Sequence, residues 1–578
     1  MEFMPAYRSA PLALLLVAAL SACAAGGSTS GAGATETLPL GTTASGNFLA
    51  GLSAQRGNDP AAAAEYYGAA LATDPNDSQL LLRGLAVALQ DGRGDVAVDL
   101  AGRLVRQDPG NSFANLTLAV ADARAGRYAE TEQRLSRLRR NGPNAVLVPL
   151  LTAWARAGQQ RFDQAAEALE TGGSPQADIS GMFQLHAGLI NELGQRPEAA
   201  EASFRAATRG EAPSLRVVIA AGRFFERSGR ASDAEEIYLR FNQRAADPIY
   251  LAADLARARA KGTPPPPMSR PSDGMAEAMF DLASALQSER TGDLAQIYAQ
   301  MALWLKPDFP AARLLLGSLL ESEQRYADAN AAYAQAGSDP VYGWAAKLHI
   351  AGNLDQMGKS EEAVKVLEAM AVEQPTRIDA LVRLGDLWRS KGKLPGPLPE
   401  YDHAISAYDR AIQRIGQPQQ PHWSVFFSRA VVLERSGRWA RAEPDLLKAL
   451  ELEPEQPSVL NYLGYSWADQ RIHLDKALPM IERAVELRPR DGYIVDSLGW
   501  IHFRLGNLDR ALGYMEQAVE LRPQDPTIND HLGDVYWRVG RRTEARYQWE
   551  RALRLEPEPQ QVPLLKKKLE EGLPPPAE

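Results

Sequence analysis

Prolines recur at a nearly fixed interval along this chain of 578 residues, and this period constrains the fold more than any other feature. The interval is 34 residues near the start and 34 or 35 near the end. Alanines stand five and twelve residues before each late proline. These positions are Pro75, Pro109, Pro143, Pro454, Pro489, Pro523 and Pro557, with Ala442, Ala449, Ala477, Ala484, Ala511, Ala518, Ala545 and Ala552. Such a period indicates stacked repeats rather than several unrelated domains.

Each unit is predicted to be two antiparallel helices. Small residues allow the two helices to cross closely, and proline ends the second helix because it lacks a backbone N–H. The pattern, with its Leu-Gly pairs at 463–464, 498–499 and 532–533, resembles the tetratricopeptide repeat. We therefore predict an all-α tetratricopeptide solenoid of about fourteen repeats. Their predicted ends are Pro75, Pro109, Pro143, Pro175, Ala212, Pro248, Pro307, Pro340, Pro375, Gly416, Pro454, Pro489, Pro523 and Pro557.

Two proline-rich stretches interrupt the period. The stretch 262–271 cannot be helical and is predicted to be a stiff joint, whereas 391–400 is predicted to be a loop inside one repeat. The predicted organisation is a lipoprotein signal peptide at 1–22, a lipidated flexible tether at 23–46, an N-terminal solenoid at 47–261, a joint at 262–273, a C-terminal solenoid at 274–557, and a capping helix with a disordered tail at 558–578.

The single cysteine of the chain closes an apolar N-terminal segment. About nine strongly apolar residues precede Leu20-Ser21-Ala22-Cys23, too few to cross a bilayer, which needs about 20. This tetrad resembles the lipobox of bacterial lipoproteins. The resemblance implies cleavage after Ala22, acylation of Cys23, and, with alanine following the cysteine, sorting to the outer membrane.

Composition and motifs exclude several classes of function. The net charge of −9 provides no basic footprint for nucleic acid, and one cysteine cannot form an intrachain disulfide or a cysteine-rich zinc site. The seven histidines show no HExxH spacing, and the chain has neither a Walker A sequence nor a GxSxG elbow. The string Gly92-Arg-Gly94-Asp-Val-Ala97 matches GxGxxA but is predicted to lie in a turn between helices. We predict no enzyme activity, cofactor or metal site.

Binding is the expected role of such a solenoid, which exposes a long surface formed by the first helix of each repeat. In the tetratricopeptide family, positions two, five, nine, twelve and thirteen usually face a concave groove. Projected onto the last three repeats, these positions imply an aromatic and acidic groove that suits a basic or backbone-read protein segment. The groove prediction comprises Asn461, Tyr465, Tyr493, Asp496, Trp500, Phe503, Asp530, Asp534 and Trp537. Trp467, Tyr536 and Trp549 are predicted to be core residues instead.

Lipobox, tether and repeats together are similar to the large outer-membrane repeat lipoproteins that face the periplasm. One such group consists of adaptors that bring carboxyl-terminal processing proteases to cell-wall hydrolase substrates. The resemblance implies a lipid-anchored, non-catalytic scaffold with protein partners. The alternative hypothesis is an assembly factor for an envelope export or insertion machine. A third hypothesis, a peptidoglycan-processing enzyme, is disfavoured because the catalytic motifs are missing.

Overall fold

The structure is a computed structural model that describes residues 40–172, 177–210, 212–243, 248–287, 291–392 and 398–575. Every regular element among these residues is a helix. Ala22, Cys23 and most of the predicted tether lie outside the described residues, as does half of the predicted loop at 391–400. The first helix begins at Ala44, two residues before the predicted end of the tether.

Contacts between helices divide the chain into two compact units, one ending at Asn353 and the other beginning at Leu354. The helices that begin in unit 1 are α1 Ala44–Arg56, α2 Pro60–Thr73, α3 Ser78–Gln90, α4 Gly94–Gln107, α5 Ser112–Arg124, α6 Tyr128–Leu135, α7 Asn144–Gly158, α8 Phe162–Gly172, α9 Ala177–Leu193, α10 Pro197–Ala207, α11 Leu215–Arg227, α12 Ala231–Asn242, α13 Ala252–Arg259, α14 Pro271–Ala285, α15 Gly292–Leu305, α16 Pro310–Ser322, α17 Tyr326–Ala334 and α18 Gly343–Gln356. Those of unit 2 are α19 Ser360–Glu373, α20 Asp379–Lys391, α21 Pro399–Ile415, α22 Trp423–Arg435, α23 Trp439–Leu452, α24 Pro457–Gln470, α25 Leu474–Leu487, α26 Gly492–Arg504, α27 Leu508–Leu521, α28 Pro526–Arg538, α29 Arg542–Arg554 and α30 Gln561–Glu571.

The helices follow one another in the predicted pairs, and the all-α solenoid is confirmed. Each predicted repeat end lies one to eight residues after the end of a second helix. We call the first helix of a pair its A helix and the second its B helix. Alanines pack between the two helices of a pair: Ala442, Ala449, Ala477, Ala484, Ala511, Ala518, Ala545 and Ala552 are all fully buried.

The turn from A helix to B helix holds one residue in the left-handed conformation in most repeats. Glycine occupies it at Gly92, Gly126, Gly229, Gly358, Gly437, Gly506 and Gly540, and another residue does so at Asn58, Gln160, Gln195, Gln324 and Arg471. A side chain at such a φ is strained, whereas glycine adopts it freely. The turn residues therefore repeat with the period of the prolines.

The proline-rich stretch 262–273 differs from the predicted joint, because it lies inside unit 1 and the chain after it folds back on earlier repeats. Helix α14 packs against α7 and α9, and α15 packs against α3 and α5. The first compact unit ends about 80 residues later, at Asn353. A local proline pattern shows where a helix must stop, but it carries no information on a contact between distant segments.

A buried contact fixes α14 on α7. A Cβ atom on Gly274 of α14 would lie 2.2 Å from the ring of Trp154, so only glycine permits this approach. The indole N–H of Trp154 donates to His186 Nδ1 at 2.9 Å, and His186 Nε2 is 3.1 Å from Asp281 Oδ2 on α14. These groups connect α7, α9 and α14 in one buried polar chain.

A second contact fixes α15 on α3 and α4. Gly94, the first residue of α4, lies against Trp304 of α15, and the Arg124 guanidinium is 5.0 Å from the Trp304 ring centroid. The side-chain amide of Gln300 donates to the Gln90 carbonyl at 3.2 Å. The A helices α3, α5, α7 and α9 of unit 1 are therefore covered by later helices of the same chain. We take the A helices of unit 2, which carry the predicted groove residues, as the candidate binding surface.

Candidate functional site

The nine predicted groove residues occupy three different environments in unit 2. Asp496, Trp500 and Asp534 are buried, and Tyr493 is 49% exposed. The half-buried residues are Asn461, Tyr465, Phe503, Asp530 and Trp537. The predicted core residues Trp467, Tyr536 and Trp549 are buried. The surface that remains open is thus narrower than a groove lined by all nine side chains.

His531 explains why Trp500 and Asp496 are buried. The imidazole of His531, on α28, stacks on the Trp500 ring of α26 with centroids 4.0 Å apart and planes 16° from parallel. Its Nδ1 atom is 3.0 Å from Asp496 Oδ2, and Phe503 stacks on Trp500 at 5.1 Å. We call Trp500, Phe503 and His531 the aromatic stack. In this pair of repeats, positions five and nine contact the next A helix instead of open solvent.

An acid pair, Asp530 and Asp534, lies next to the aromatic stack and meets a lysine from the last helix. Lys568 Nζ donates to Asp530 Oδ1 at 2.7 Å and to Asp534 Oδ2 at 2.9 Å. Trp549 Nε1 donates to the other oxygen, Asp534 Oδ1, at 2.9 Å. The buried carboxylate therefore receives hydrogen bonds on both oxygens, which compensates part of its lost hydration.

Burial and neighbouring charges shift the pKa values of this cluster. Burial outweighs the attraction of Lys568 and raises the pKa of Asp534 to about 6. Burial disfavours the charged imidazole, but Asp496, Asp530 and Asp534 outweigh it and raise the pKa of His531 above its ordinary value. Burial likewise opposes the charge on Lys568, yet the acid pair raises the pKa of that ammonium.

These shifts predict that unit 2 loses stability as the pH rises. In the folded state Asp534 stays protonated up to a pH of about 6, whereas in the unfolded chain an aspartate, with a pKa near 3.9, has already lost its proton. We expect the free energy of unfolding, measured by urea titration as the wild-type value minus the Asp534→Asn value, to fall by about 1–3 kcal/mol between pH 4 and pH 7. The raised pKa of His531 acts in the same direction at higher pH. Parallel pH profiles for the two proteins would contradict the shift.

Three buried polar atoms at the family's groove positions on α24 and α26 have no hydrogen-bond partner among the described residues. They are Asn461 Oδ1 on α24, and Trp500 Nε1 and Arg504 Nε on α26. An unsatisfied buried donor or acceptor costs about 1–3 kcal/mol, and native proteins contain few of them. A peptide group can supply both an acceptor for an N–H and a donor for an amide oxygen. Because the three atoms are themselves buried, a partner would meet the half-buried side chains around them, including Tyr465 and Phe503.

Sequence reasoning missed two residues of this site, His531 and Lys568. His531 stands at position six, outside the family's groove positions, but it lies 35 residues after Asp496 and so one repeat later at the adjoining turn of the helix. Lys568 belongs to α30 rather than to a repeat, so no projection of repeat positions could include it. The only sequence signal for this contact was the combination of two nearby aspartates in the last repeat with a lysine-rich final helix.

Comparisons with known proteins agree with the helix pairs. The tetratricopeptide repeat family model matches residues 48–112, 398–457, 427–475 and 471–526. The chain is similar to TPR repeat-containing protein PA4667 of Pseudomonas aeruginosa, with 32% identity over 199 residues. The matched segments of this chain are similar to tetratricopeptide repeats. The alignment covers 34% of this chain and only 32% of the length of PA4667.

Solved tetratricopeptide-like structures give weaker likenesses. The hetero-tetramer Cut9-Hcn1 of APC/C is 14% identical, with 92% of this chain and 96% of that chain covered and a TM-score of 0.36. Yeast Tom70 is 15% identical over 92% of this chain and 95% of its own, with a TM-score of 0.28. A tetratricopeptide repeat protein from Parabacteroides merdae is 15% identical over 45% of this chain and 97% of its own, with a TM-score of 0.35.

The described residues contain neither a candidate metal site nor a candidate membrane-spanning helix. No three His, Cys, Asp or Glu side chains are grouped so that they could hold a metal ion in that part of the chain. No helix there combines the length and the apolar composition needed to cross a membrane.

Proposed function

We propose that this tetratricopeptide protein is a non-catalytic scaffold, held at the outer membrane by an acylated Cys23, that binds proteins in the periplasm. The lipobox-like tetrad before Cys23 and the Gly-, Ser- and Thr-rich tether support the anchor. Stacked helix pairs support a binding role, because they present a continuous surface of A helices. In unit 1 that surface is covered at α3, α5, α7 and α9, so we assign binding to unit 2.

The observation that carries the binding site is the set of half-buried side chains on the A helices α24 and α26, namely Asn461, Tyr465 and Phe503. The side-chain amide of Asn461 can both donate and accept a hydrogen bond, as a peptide group does. The half-buried rings of Tyr465 and Phe503 belong to the same apolar cluster and offer contact area at low entropic cost. The combination favours an apolar protein segment whose backbone is read beside the aromatic stack.

Within this role we further propose that the partners are a carboxyl-terminal processing protease and its cell-wall hydrolase substrates. Support comes from the resemblance in sequence organisation: lipobox, tether and dense C-terminal repeats. The name of the Pseudomonas relative refers to its repeats and to no partner. An assembly factor for an envelope machine would use the same surface for other proteins.

Purification from detergent extracts tests the binding role. Full-length wild type is compared with Asn461→Ala and Phe503→Ala, and with Tyr547→Ala, a matched control whose ring is 56% exposed on the B helix α29. We expect the first two variants to retain at least tenfold less of a specific partner, and the control to retain it fully. A captured serine protease would support the adaptor role, and a barrel protein or secretin would support the assembly role. Equal capture by all four proteins would contradict the site.

The anchor has its own test. Changing Cys23 to serine removes the only thiol that could be acylated, so we expect the protein to move from the membrane fraction to the soluble periplasmic fraction. Folding should be unchanged, since Cys23 precedes all the repeats. Fractionation with detection of the intact chain measures this, and retention of Cys23→Ser in the membrane fraction would refute the lipid anchor.

A further inference from the structure

The last helix, α30, lies on the candidate surface of unit 2. Gln561 Nε2 donates to Thr527 Oγ1 at 3.4 Å, and Lys568 donates to the acid pair. Gly572, immediately after α30, lies so close to Trp537 that a Cβ there would be 1.9 Å from the ring. Thr527, Asp530, Asp534 and Trp537 are positions two, five, nine and twelve of the last repeat. The C-terminal segment therefore covers the residues that the family would use for a ligand.

The apolar side of α30 joins the cluster of the aromatic stack. Leu565 is buried in the cluster that contains Trp500, and Leu569 and Leu573 pack against it. Tyr465, Phe503 and Trp537 pack at the edge of the same cluster. Leu565 and Leu569 share one side of α30 because they are spaced by four residues, and Leu573 follows the end of the helix, after Gly572 at a positive φ. Lys568, beside this stripe, meets the acids.

Helix α30 packs mainly on α29, and it buries few of its own side chains there. Leu565 is the only buried residue of α30, whereas α26 has ten. The linker before it places Glu556 at a positive φ, and Glu558 Oε1 makes a 3.3 Å ion pair with Arg435 in which both side chains are well exposed. Exposed ion pairs contribute little, and segments with few buried contacts open at low free energy. Helix α30 can thus detach without unfolding α28 or α29.

We propose that α30 is a displaceable internal occupant of the surface on α28, and that the partner segment replacing it is an amphipathic helix with the spacing Leu-x-x-Lys-Leu. This deepens the proposed function and rests on it, since it specifies the segment that unit 2 binds. The acid pair requires a cation in the occupant, because an occupant without a group equivalent to Lys568 would bury Asp534 without a positive partner. The leucine spacing follows from the residues that now fill the cluster.

Tethering sets the terms of this competition. A short linker keeps α30 at a high effective concentration near its own site, on the order of millimolar. A partner helix must outcompete α30 at this effective concentration. It can do so either through tighter contacts or through a second contact with the open surface of α24 and α26. Free partner segments should therefore bind weakly to the wild-type chain and strongly once α30 is released.

The test uses a labelled peptide that copies residues 558–574 as the probe, with the full-length chain in three forms. Leu565→Asp combined with Leu569→Asp should release α30, whereas Leu564→Asp is the matched control, because Leu564 is 60% exposed. We expect the peptide to bind the double variant at least tenfold more tightly than the wild type or the control. A peptide with Lys568→Glu should lose at least tenfold of that affinity. Equal binding to all three forms, or no binding to any, would overturn the proposal.

A second measurement on the unmodified chain covers the case in which the double variant does not fold. In hydrogen–deuterium exchange, we expect the amides of residues 565–571 to exchange at least 100-fold faster than those of residues 530–538 in α28. Equal protection would mean that α30 is a permanent cap and would overturn the proposal. Peptide binding and exchange need no external partner, so failure of the extract experiment alone would contradict the proposed function and leave this result standing.

Discussion

Truncation of Trp500 to alanine should lower the free energy of unfolding of unit 2 by about 3–5 kcal/mol, the range typical of a buried tryptophan. Trp500 is only 7% exposed and stacks on both His531 and Phe503. Its removal leaves a cavity and exposes the Asp496–His531 pair. Urea titration of the full-length chain followed by circular dichroism measures the loss. Tyr493→Ala, at a site 49% exposed on the same helix, should change stability by less than about 1 kcal/mol.

The same variant separates two roles for Trp500. If Trp500 only bound a partner, its truncation to alanine would reduce the affinity for that partner and leave the melting temperature unchanged. The stacking observed here predicts that the melting temperature falls before any change in binding is detectable. An unchanged unfolding curve for Trp500→Ala would show that the aromatic stack does not contribute to the core.

Division of the chain within 262–271 should give two fragments that remain associated. Helices α14 and α15 cover α3, α5, α7 and α9, so separation would expose apolar surface on both fragments. Co-expressed fragments should co-elute in size-exclusion chromatography at the mass of the intact chain. The fragment ending at 261, expressed alone, should aggregate, because Trp154 loses its contact with Gly274 of α14.

A cut between α18 and α19 is the natural control, because the compact units meet near residue 354. We expect those two fragments to remain soluble when expressed separately, with cooperative melting of helical circular dichroism. Separate, monomeric and cooperatively folded fragments from the cut at 262–271 would contradict the packing of α14 on α7.

The sequence predicted what repeats along the chain and missed what packs across it. Proline and alanine periods placed the helix pairs, because chain termination and close helix crossing are local properties. Trp467, Tyr536 and Trp549 were correctly predicted as core residues. The approach of Gly274 to Trp154 joins residues 120 positions apart, and no periodic pattern encodes it.

The candidate site was predictable in composition but not in exposure. The family register placed acids and aromatics on the A helices, where the structure has them. It could not show that the next A helix closes over positions five and nine, as His531 does over Trp500 and Asp496. Nor could it place Lys568, which reaches the acid pair from outside the repeats. The exposure of a side chain in a solenoid depends on the neighbouring repeat, so the position of a residue within its own repeat is insufficient to predict whether it is exposed.

The left-handed turns have a consequence for how the two units respond to stress. Four of the turns with a non-glycine residue, at Asn58, Gln160, Gln195 and Gln324, belong to unit 1, and one, which holds both Arg471 and His473, belongs to unit 2. Each such residue opposes its own turn by roughly 1 kcal/mol relative to glycine. Unit 1 is therefore built from repeats that are individually weaker and depend on the returning helices α14 and α15 to hold them. Under a pulling force or in denaturant, release of those two helices would remove this support from several repeats at once, so unit 1 should give way in one large step and unit 2 in smaller ones.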